Sequence, residues 1–382
     1  MVNGTAKLIV DLGNSSTRVT THFGKTSKGG IRRRTRILDN HFSIVPDDKV
    51  ESYLNSGTYS EEDSKMFEFN GSTYCTGVLC NTEFGSTAIR PTALEKKYES
   101  LVTKLTLVNA FCEGYSAIAA FTNSDLDCVD VDWDVTLLLP PDDIDTGAKL
   151  LADVAKSIPS ISFKMPNLSK EIKVNKVTVY PEGFCALIAV CFESKDVVRK
   201  SHAYLLEEDS STLIVDIGAG TSDIVMSQGC NIVSSSKFTK EVGGNNVHQR
   251  VRRLLKEKGI VLSDSAVRKG CEVGYVKSGN KKYNIVPIIA SSKSAVAKQL
   301  VDAIQEFFEN NMIPIQSINN ILVCGGGAEN NIEEGIEPIS NYIIEFMKRL
   351  SKDINLVELP KDGEEVVSPR MLNIAGASIL SE

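Results

Sequence analysis

A two-lobed α/β fold built from a duplicated half is what this sequence predicts, on three observations. The chain has 382 residues, which at roughly 150 residues per domain implies two bodies. Short β-branched runs alternate with helical stretches in each half, the pattern of sheets flanked by helices. Residues 8–19 (Leu-Ile-Val-Asp-Leu-Gly-Asn-Ser-Ser-Thr-Arg-Val) are echoed by residues 213–224 (Leu-Ile-Val-Asp-Ile-Gly-Ala-Gly-Thr-Ser-Asp-Ile), at a constant offset of 205. Two copies of about 200 residues make a duplication rather than a repeat array.

Each copy opens with three apolar residues, a short buried strand. An Asp then ends the strand, and Gly with small hydroxyl residues makes a tight turn. A second strand leaves the turn, over 18–23 in the first copy and 223–226 in the second. Elsewhere the periodicity predicts helices over 93–122, 145–157, 183–194, 244–258, 291–311, 333–350 and 371–381, and strands over 134–139, 171–180 and 319–323. Residues 40–92 are polar and weakly periodic, an inserted subdomain or long loop region, and 261–290 are similarly indistinct. Trp133 opens an apolar strand and is expected in a core.

Composition narrows the class. Hydrophobic residues make up 42% and charged residues 24%, ordinary globular usage. The balance of 42 basic against 49 acidic residues argues against broad non-specific nucleic-acid binding. Nine cysteines, an odd number with no Cys-x-x-Cys pair, read as reduced thiols in a cytoplasm. Four scattered histidines offer no zinc spacing, and His41 and His202 show no evident partners. Leu8-Ile9-Val10 is too short for a signal-peptide core. The longest apolar stretch, Phe184 to Phe192, is about half of what a membrane span needs.

The chemistry concentrates in the turns. Small residues let backbone N–H groups approach an anion closely. Two facing hairpins could clamp a polyphosphate, and Asp11 and Asp216 would then need a cation between themselves and the phosphates. Mg²⁺ with its retained waters suits hard carboxylate oxygens. A third element is the buried strand Ile321–Cys324 running into Gly325-Gly326-Gly327-Ala328. Three consecutive glycines imply close approach of a flat ligand or a phosphate, or a flexible strand–helix loop. A fourth is Glu182, where a strand gives way to an apolar helix; an acidic residue there complements the helix dipole. The fifth, Met371 to Leu380, holds Ala375-Gly376-Ala377, which permits close helix packing.

Taken along the chain (Asp11–Thr17, Pro181–Phe192, Asp216–Asp223, Val323–Glu329 and Met371–Leu380), the five segments resemble, in order, the signature motifs of the actin, sugar-kinase and heat-shock-chaperone ATPase superfamily. The resemblance implies a duplicated, ribonuclease-H-like α/β fold with two lobes around a nucleotide cleft. Lobe I would be 1–181 plus 371–382, with an inserted subdomain at about 30–92. Lobe II would be 182–370, with an outer subdomain at about 240–290. By the same resemblance, Asp11 and Asp216 hold Mg²⁺ through water. Gly13, Asn14, Ser15 and Ser16, with Gly218, Ala219, Gly220 and Thr221, bind phosphate. Gly325, Gly326, Gly327 and Ala328 lie under the nucleoside, and Glu182 orients the attacking water. A lysine or arginine near the helix 247–258 could approach the ribose or base. The implied activity is hydrolysis of ATP, with GTP as an alternative nucleotide.

Within the superfamily the sequence is similar to the ParM/StbA-like bacterial actins that segregate low-copy plasmids. No added substrate domain, phosphoryl-acceptor site, membrane-binding helix or amphipathic tail is evident. The expected partners are further copies of the chain in a filament and a DNA-binding adaptor, with no direct nucleic-acid or membrane contact. Arg32 to Arg36, the most basic stretch, reads as a solvated strand or turn. The competing readings are a non-polymerising small-molecule kinase and a cell-shape actin.

Overall fold

The computed structural model describes all residues except 14–15, 28–29, 56–63, 86, 92–95, 165–166, 329–336 and 363–364. Contacts divide the chain into two units. The first holds Met1–Leu139, Asp143–Pro181 and Ser381–Glu382; the second holds Pro140–Asp142 and Glu182–Leu380. The sequence division assigned 371–382 to lobe I, whereas Leu372–Leu380 groups by its contacts with the second unit.

In the first unit, strands β1 (Val2–Leu12), β2 (Ser16–Lys25), β3 (Ile31–Asp39), β4 (Val129–Leu139) and β5 (Lys173–Pro181) form one sheet. Its order is β5-β4-β1-β2-β3. β1 pairs antiparallel with β2 and parallel with β4, which pairs parallel with β5. Helix α1 (Leu101–Thr122) packs on β1 and β2. It starts later than the expected 93, because Ser100 caps it by accepting a hydrogen bond from the Val102 N–H at 3.1 Å. Residues 92–95 lie outside the described set. Trp133 stands mid-strand, fully buried, edge-on to Phe111 and Tyr115. Gly114 makes room for it: a Cβ there would lie 2.7 Å from the indole.

The indistinct stretch 40–92 is folded where it is described. Strands Ser43–Ile44, Ser64–Phe69 and Ser72–Gly77 form a sheet with Ser160–Lys164 and Asn167–Glu171. The last two strands lie about ninety residues further on, a pairing no local pattern announces. Arg32 to Arg36 lie on β3, the last strand of its sheet. The stretch is mostly exposed, but Arg34 and Arg36 lie 3.5 and 3.9 Å from the buried Glu113, which also pairs with Lys65 at 2.8 Å.

The second unit repeats the plan. After helix α2 (Phe184–Cys191) come β6 (Ser211–Ile217), β7 (Ser222–Gln228) and β8 (Phe238–Lys240), then helices α3 (Gly244–Glu257), α4 (Asp264–Val273) and α5 (Val286–Asn310). Strand β9 (Asn320–Cys324), helix α6 (Ile339–Leu350) and helix α7 (Leu372–Leu380) complete it. β6 pairs antiparallel with β7 and parallel with β9; β7 pairs antiparallel with β8; β9 pairs parallel with Asn355–Leu356. Five of the six strands of this sheet match β1, β2, β3, β4 and β5 in pairing and direction; the sixth, Asn231–Ile232 on β7, has no counterpart in the first sheet. The fold is the α/β class the sequence predicts.

Several boundaries move. The helix expected over 183–194 stops at Cys191, and Phe192–Ser194 is a strand. The helix expected from 291 begins at Val286, with Pro287 in its first turn, where a missing N–H costs nothing. The helix expected from 333 is described from Ile339, after Pro338. The strand expected over 134–139 begins at Val129. The indistinct 261–290 contains α4 and the hairpin Tyr275–Ser278 with Lys281–Asn284. Among the described residues, no helix is long and apolar enough to cross a membrane.

Candidate functional site

Both acidic turns sit at hairpin tips, as the echo predicts. The aspartates do not end their strands, however. Each occupies the last ladder position but one, with Asp11 opposite Arg18 and Asp216 opposite Asp223. The ladder therefore holds both carboxylates in rigid backbone.

At the first tip Asp11 is buried, at 4% exposure. Arg18 Nη1 donates to its Oδ2 at 3.3 Å, which gives the buried carboxylate a counter-charge. Gly13 donates its N–H to the Asp11 carbonyl at 3.1 Å. A Cβ on Gly13 would lie 2.5 Å from the Ser16 carbonyl oxygen, so no other residue fits that turn unstrained. Asn14 and Ser15 lie outside the described residues, and Ser16 opens β2. Beneath the turn, a small cavity is lined by Gly13, Thr17, Asn40, Lys97, Ser100 and Thr106, among others.

The second tip, Gly218 to Thr221, closes by a hydrogen bond from the Gly218 N–H to the Thr221 carbonyl at 2.9 Å. Asp216 is 5% exposed. Its Oδ2 accepts from Asn373 Nδ2, and Asn373 Oδ1 accepts from the Gly183 N–H at 2.9 Å. Asn373, on α7, therefore joins the start of α2 to the Asp216 carboxylate. Glu182, the residue just before Gly183, is 8% exposed. Asp223 is also buried, and its Oδ1 accepts from Thr239 Oγ1 at 2.7 Å.

The glycine run after β9 packs on this second tip. Gly325 adopts a φ of +87°, the left-handed region, and a Cβ there would lie 2.2 Å from Asp216 Oδ1. A Cβ on Gly327 would lie 2.9 Å from the Gly218 carbonyl oxygen. These two glycines are required first by contact with the protein's own backbone and carboxylate. Gly326 and Ala328 share the same single helical turn.

A basic group follows around α3, α4 and α5. Arg268 Nη2 donates to Asn245 Oδ1 at 2.7 Å. Burial draws the Lys293 ammonium below its usual range. His248 is lowered to about 4, first by burial and then by Arg268 and Lys293. His41 and His202 are structural: His41 Nδ1 lies 3.3 Å from Asp39 Oδ1, and His202 Nε2 lies 2.8 Å from the Glu358 carbonyl oxygen.

Within each unit taken by itself, a buried carboxylate, Asp11 in the first and Asp216 in the second, offers hard oxygens of the kind a hydrated Mg²⁺ prefers, next to a turn containing glycine. Sequence reasoning missed Arg18, Asn373, Arg268 and Lys293. Arg18 carried one signal, a basic residue in a strand otherwise read as buried. Asn373 carried another, an amide inside an apolar helix.

Two sheets of one topology, each tipped by an Asp and a glycine turn, define the actin-like fold. Residues 214–335, about a third of the chain, match the family model described as archaeal actin homologue MreB-like, C-terminal. No curated protein matches significantly by sequence. Among solved structures, an archaeal actin homologue is 13% identical, with a TM-score of 0.67 over 97% of both chains. The actin-like protein Alp7A is 17% identical, with a TM-score of 0.69 over 100% of this chain and 96% of that one. A ParM from a 15-stranded Clostridium botulinum filament is 16% identical, with a TM-score of 0.65 over 98% of both.

Proposed function

We propose that this chain is a Mg-ATP-dependent, actin-like filament protein. In this reading ATP binding drives polymerisation, and hydrolysis makes the filament unstable. Its cellular role would be the segregation of plasmid or phage DNA in a bacterial cytoplasm, through a DNA-binding adaptor. The observation that carries the reading is the recurrence of a buried Asp beside a glycine turn in two matched hairpins. The archaeal actin homologue was also solved in complex with ADP, and a Bacillus thuringiensis ParM with AMPPNP. The ParM of Clostridium botulinum was solved as a filament. A filament requires a heterologous contact that does not close.

The roles are those the resemblance implies, and the residues' chemistry suits them. Asp11 and Asp216 would hold the hydrated Mg²⁺, which when bound neutralises charge on the phosphates. The turn amides of Gly13–Ser16 and Gly218–Thr221 would bind phosphate oxygens. Arg18 would trade part of its pairing with Asp11 for phosphate. Glu182 would accept a proton-bearing contact from the attacking water. Gly325, Gly326, Gly327 and Ala328, with the basic group around Arg268 and Lys293, would serve the nucleoside.

A pelleting assay tests the reading. The protein with ATP and Mg²⁺ should sediment, release phosphate, and return to the supernatant as ATP is consumed. Protein that stays soluble and consumes ATP only with an added acceptor would instead be a kinase. Co-sedimentation with lipid vesicles would indicate a cell-shape actin.

A further inference from the structure

We infer that copies of this chain meet head to tail through the second unit: the basic segment 244–284 of one copy docks on an acidic end of the next, formed around Glu207–Asp209 and Glu309. The inference rests on the filament reading above and names the surface that reading needs.

Charge is unevenly spread along the second unit. Residues 244–284 hold ten Lys and Arg against three Asp and Glu, a net +7, in a chain of −7. The rest of 182–380 holds twelve against twenty-two, a net −10. The near balance of the whole chain therefore conceals two opposed regions.

The fold sets these regions apart. The basic segment consists of α3, α4 and the hairpin Tyr275–Ser278 with Lys281–Asn284, packed in series. It joins the sheet at its turn end, where the Gly244 and Asn245 N–H groups donate to the Gly218 and Ala219 carbonyls at 3.0 and 2.8 Å. Glu207, Glu208 and Asp209 lie just before the start of β6, seven residues or about 23 Å away along the strand. That end is tied to the approach to β9, since the Ser211 N–H donates to Asn319 Oδ1 at 3.0 Å. Helix α5 spans the same interval. It starts directly after the basic hairpin and runs 25 residues, about 37 Å, to an acidic last turn holding Glu309.

Two observations go beyond charge count. A helix C-terminus favours cations, yet α5 has no basic residue in its last turn and an exposed Glu309 there. Helix stability therefore does not explain that carboxylate. Apart from Met1, the two most exposed large apolar residues described are Met312, at 92%, and Val261, at 74%. Met312 follows α5 at the acidic end, and Val261 joins α3 to α4 in the basic segment. Each end thus offers an apolar group among charges of one sign. The ion pairs of the basic segment, Arg252 with Asp264 and Arg253 with Glu257, leave the exposed Lys277, Lys281 and Lys282 without a carboxylate among the described residues.

Opposite ends of opposite sign attract a second copy in the same orientation, and like ends repel. Such a contact is heterologous and leaves one end of each kind open, so it propagates. Duplex DNA would account for the basic end alone, whereas a second copy accounts for both.

The test uses two full-length charge reversals. One variant combines Lys277→Glu, Lys281→Glu and Lys282→Glu; the other combines Glu207→Lys, Glu208→Lys and Asp209→Lys. All six side chains are exposed and none belongs to the proposed nucleotide site, so Mg-ADP affinity and the urea midpoint should stay at wild-type values. With ATP and Mg²⁺, each variant alone should need about tenfold more protein to sediment, because like charges then face each other. Wild-type sedimentation should weaken as NaCl rises from about 50 to about 300 mM. An equimolar mixture of the two variants restores opposite signs at every contact and should sediment near the wild-type threshold. Folded variants that each sediment like wild type overturn the inference, as does a mixture that stays soluble where wild type sediments. Fluorescein-labelled duplex DNA that binds wild type but not the lysine variant, while that variant still sediments, assigns the basic end to nucleic acid and also overturns it. If a triple variant fails to fold, Lys282→Glu and Glu208→Lys are mixed in the same way. A wild type that never sediments overturns the filament reading. Sedimentation velocity of the mixture then reads the inference by itself: a heterodimer or larger species supports the paired ends, and two monomers overturn them.

Discussion

Asn373 joins the Asp216 carboxylate to the Gly183 N–H, next in the chain to Glu182, and the two acidic residues should fail differently. In the proposed mechanism Glu182→Ala removes the acceptor for the attacking water and leaves the turns intact. Nucleotide affinity should stay near wild type, phosphate release should slow by about 10²-fold or more, and filaments should outlive those of wild type in a pelleting time course. Unchanged phosphate release would remove Glu182 from the mechanism. Asp216→Ala should instead weaken Mg-nucleotide binding itself, read by calorimetry, because it deletes a carboxylate and orphans the Asn373 amide. A third residue ties acidity to stability. His22 is buried, and burial followed by Lys7 and Arg33 lowers it from 6.5 to about 4. The unfolded chain binds that proton more readily, so its contribution is complete above pH 6.5 and is lost as the pH falls toward 4. Urea denaturation at pH 7.5 and pH 5 should show His22→Gln losing about 2 kcal/mol less than wild type over that interval. An equal loss in both would exclude His22 as the titrating group.

Among elements, the α2–α7 pair depends on a missing side chain. A Cβ on Gly376 would lie 1.7 Å from the Cys185 carbonyl oxygen. Gly376→Val should therefore force the helices apart and cost about 3 kcal/mol or more, read as a lower urea midpoint. Gly376→Ala should move it in the same direction. The Ala375-Gly376-Ala377 pattern announced that contact in the sequence. The hairpins were equally legible, since strand, Asp, glycine and strand occur in one short window and turn chemistry is local. What stayed illegible was set at long range. Strands Ser64–Phe69 and Ser160–Lys164 pair across nearly a hundred residues, and nothing in either stretch names the other. Helix ends moved for local reasons that periodicity does not weigh: Ser100 as a cap, Pro287 and Pro338 as starts.

At the scale of the molecule, a twelve-residue echo stands for a duplicated five-strand sheet. The copies have diverged so far that only the tips still read alike, because a tight turn beside a carboxylate tolerates few residues, whereas a buried strand accepts any apolar residue that fits. The same divergence leaves solved structures of one fold at 13–17% identity. The sequence by itself determined the class, the duplication, the two acidic turns and the order of the five motifs, since each depends on residues adjacent in the chain. The tertiary structure alone decided that Arg18 faces Asp11, that Asn373 joins Gly183 to Asp216, that Asn40 reaches Gly13, and that Gly325 and Gly327 yield to the second turn. Those contacts bring together residues tens to nearly two hundred positions apart, or depend on strand register, and packing rather than local preference chooses them.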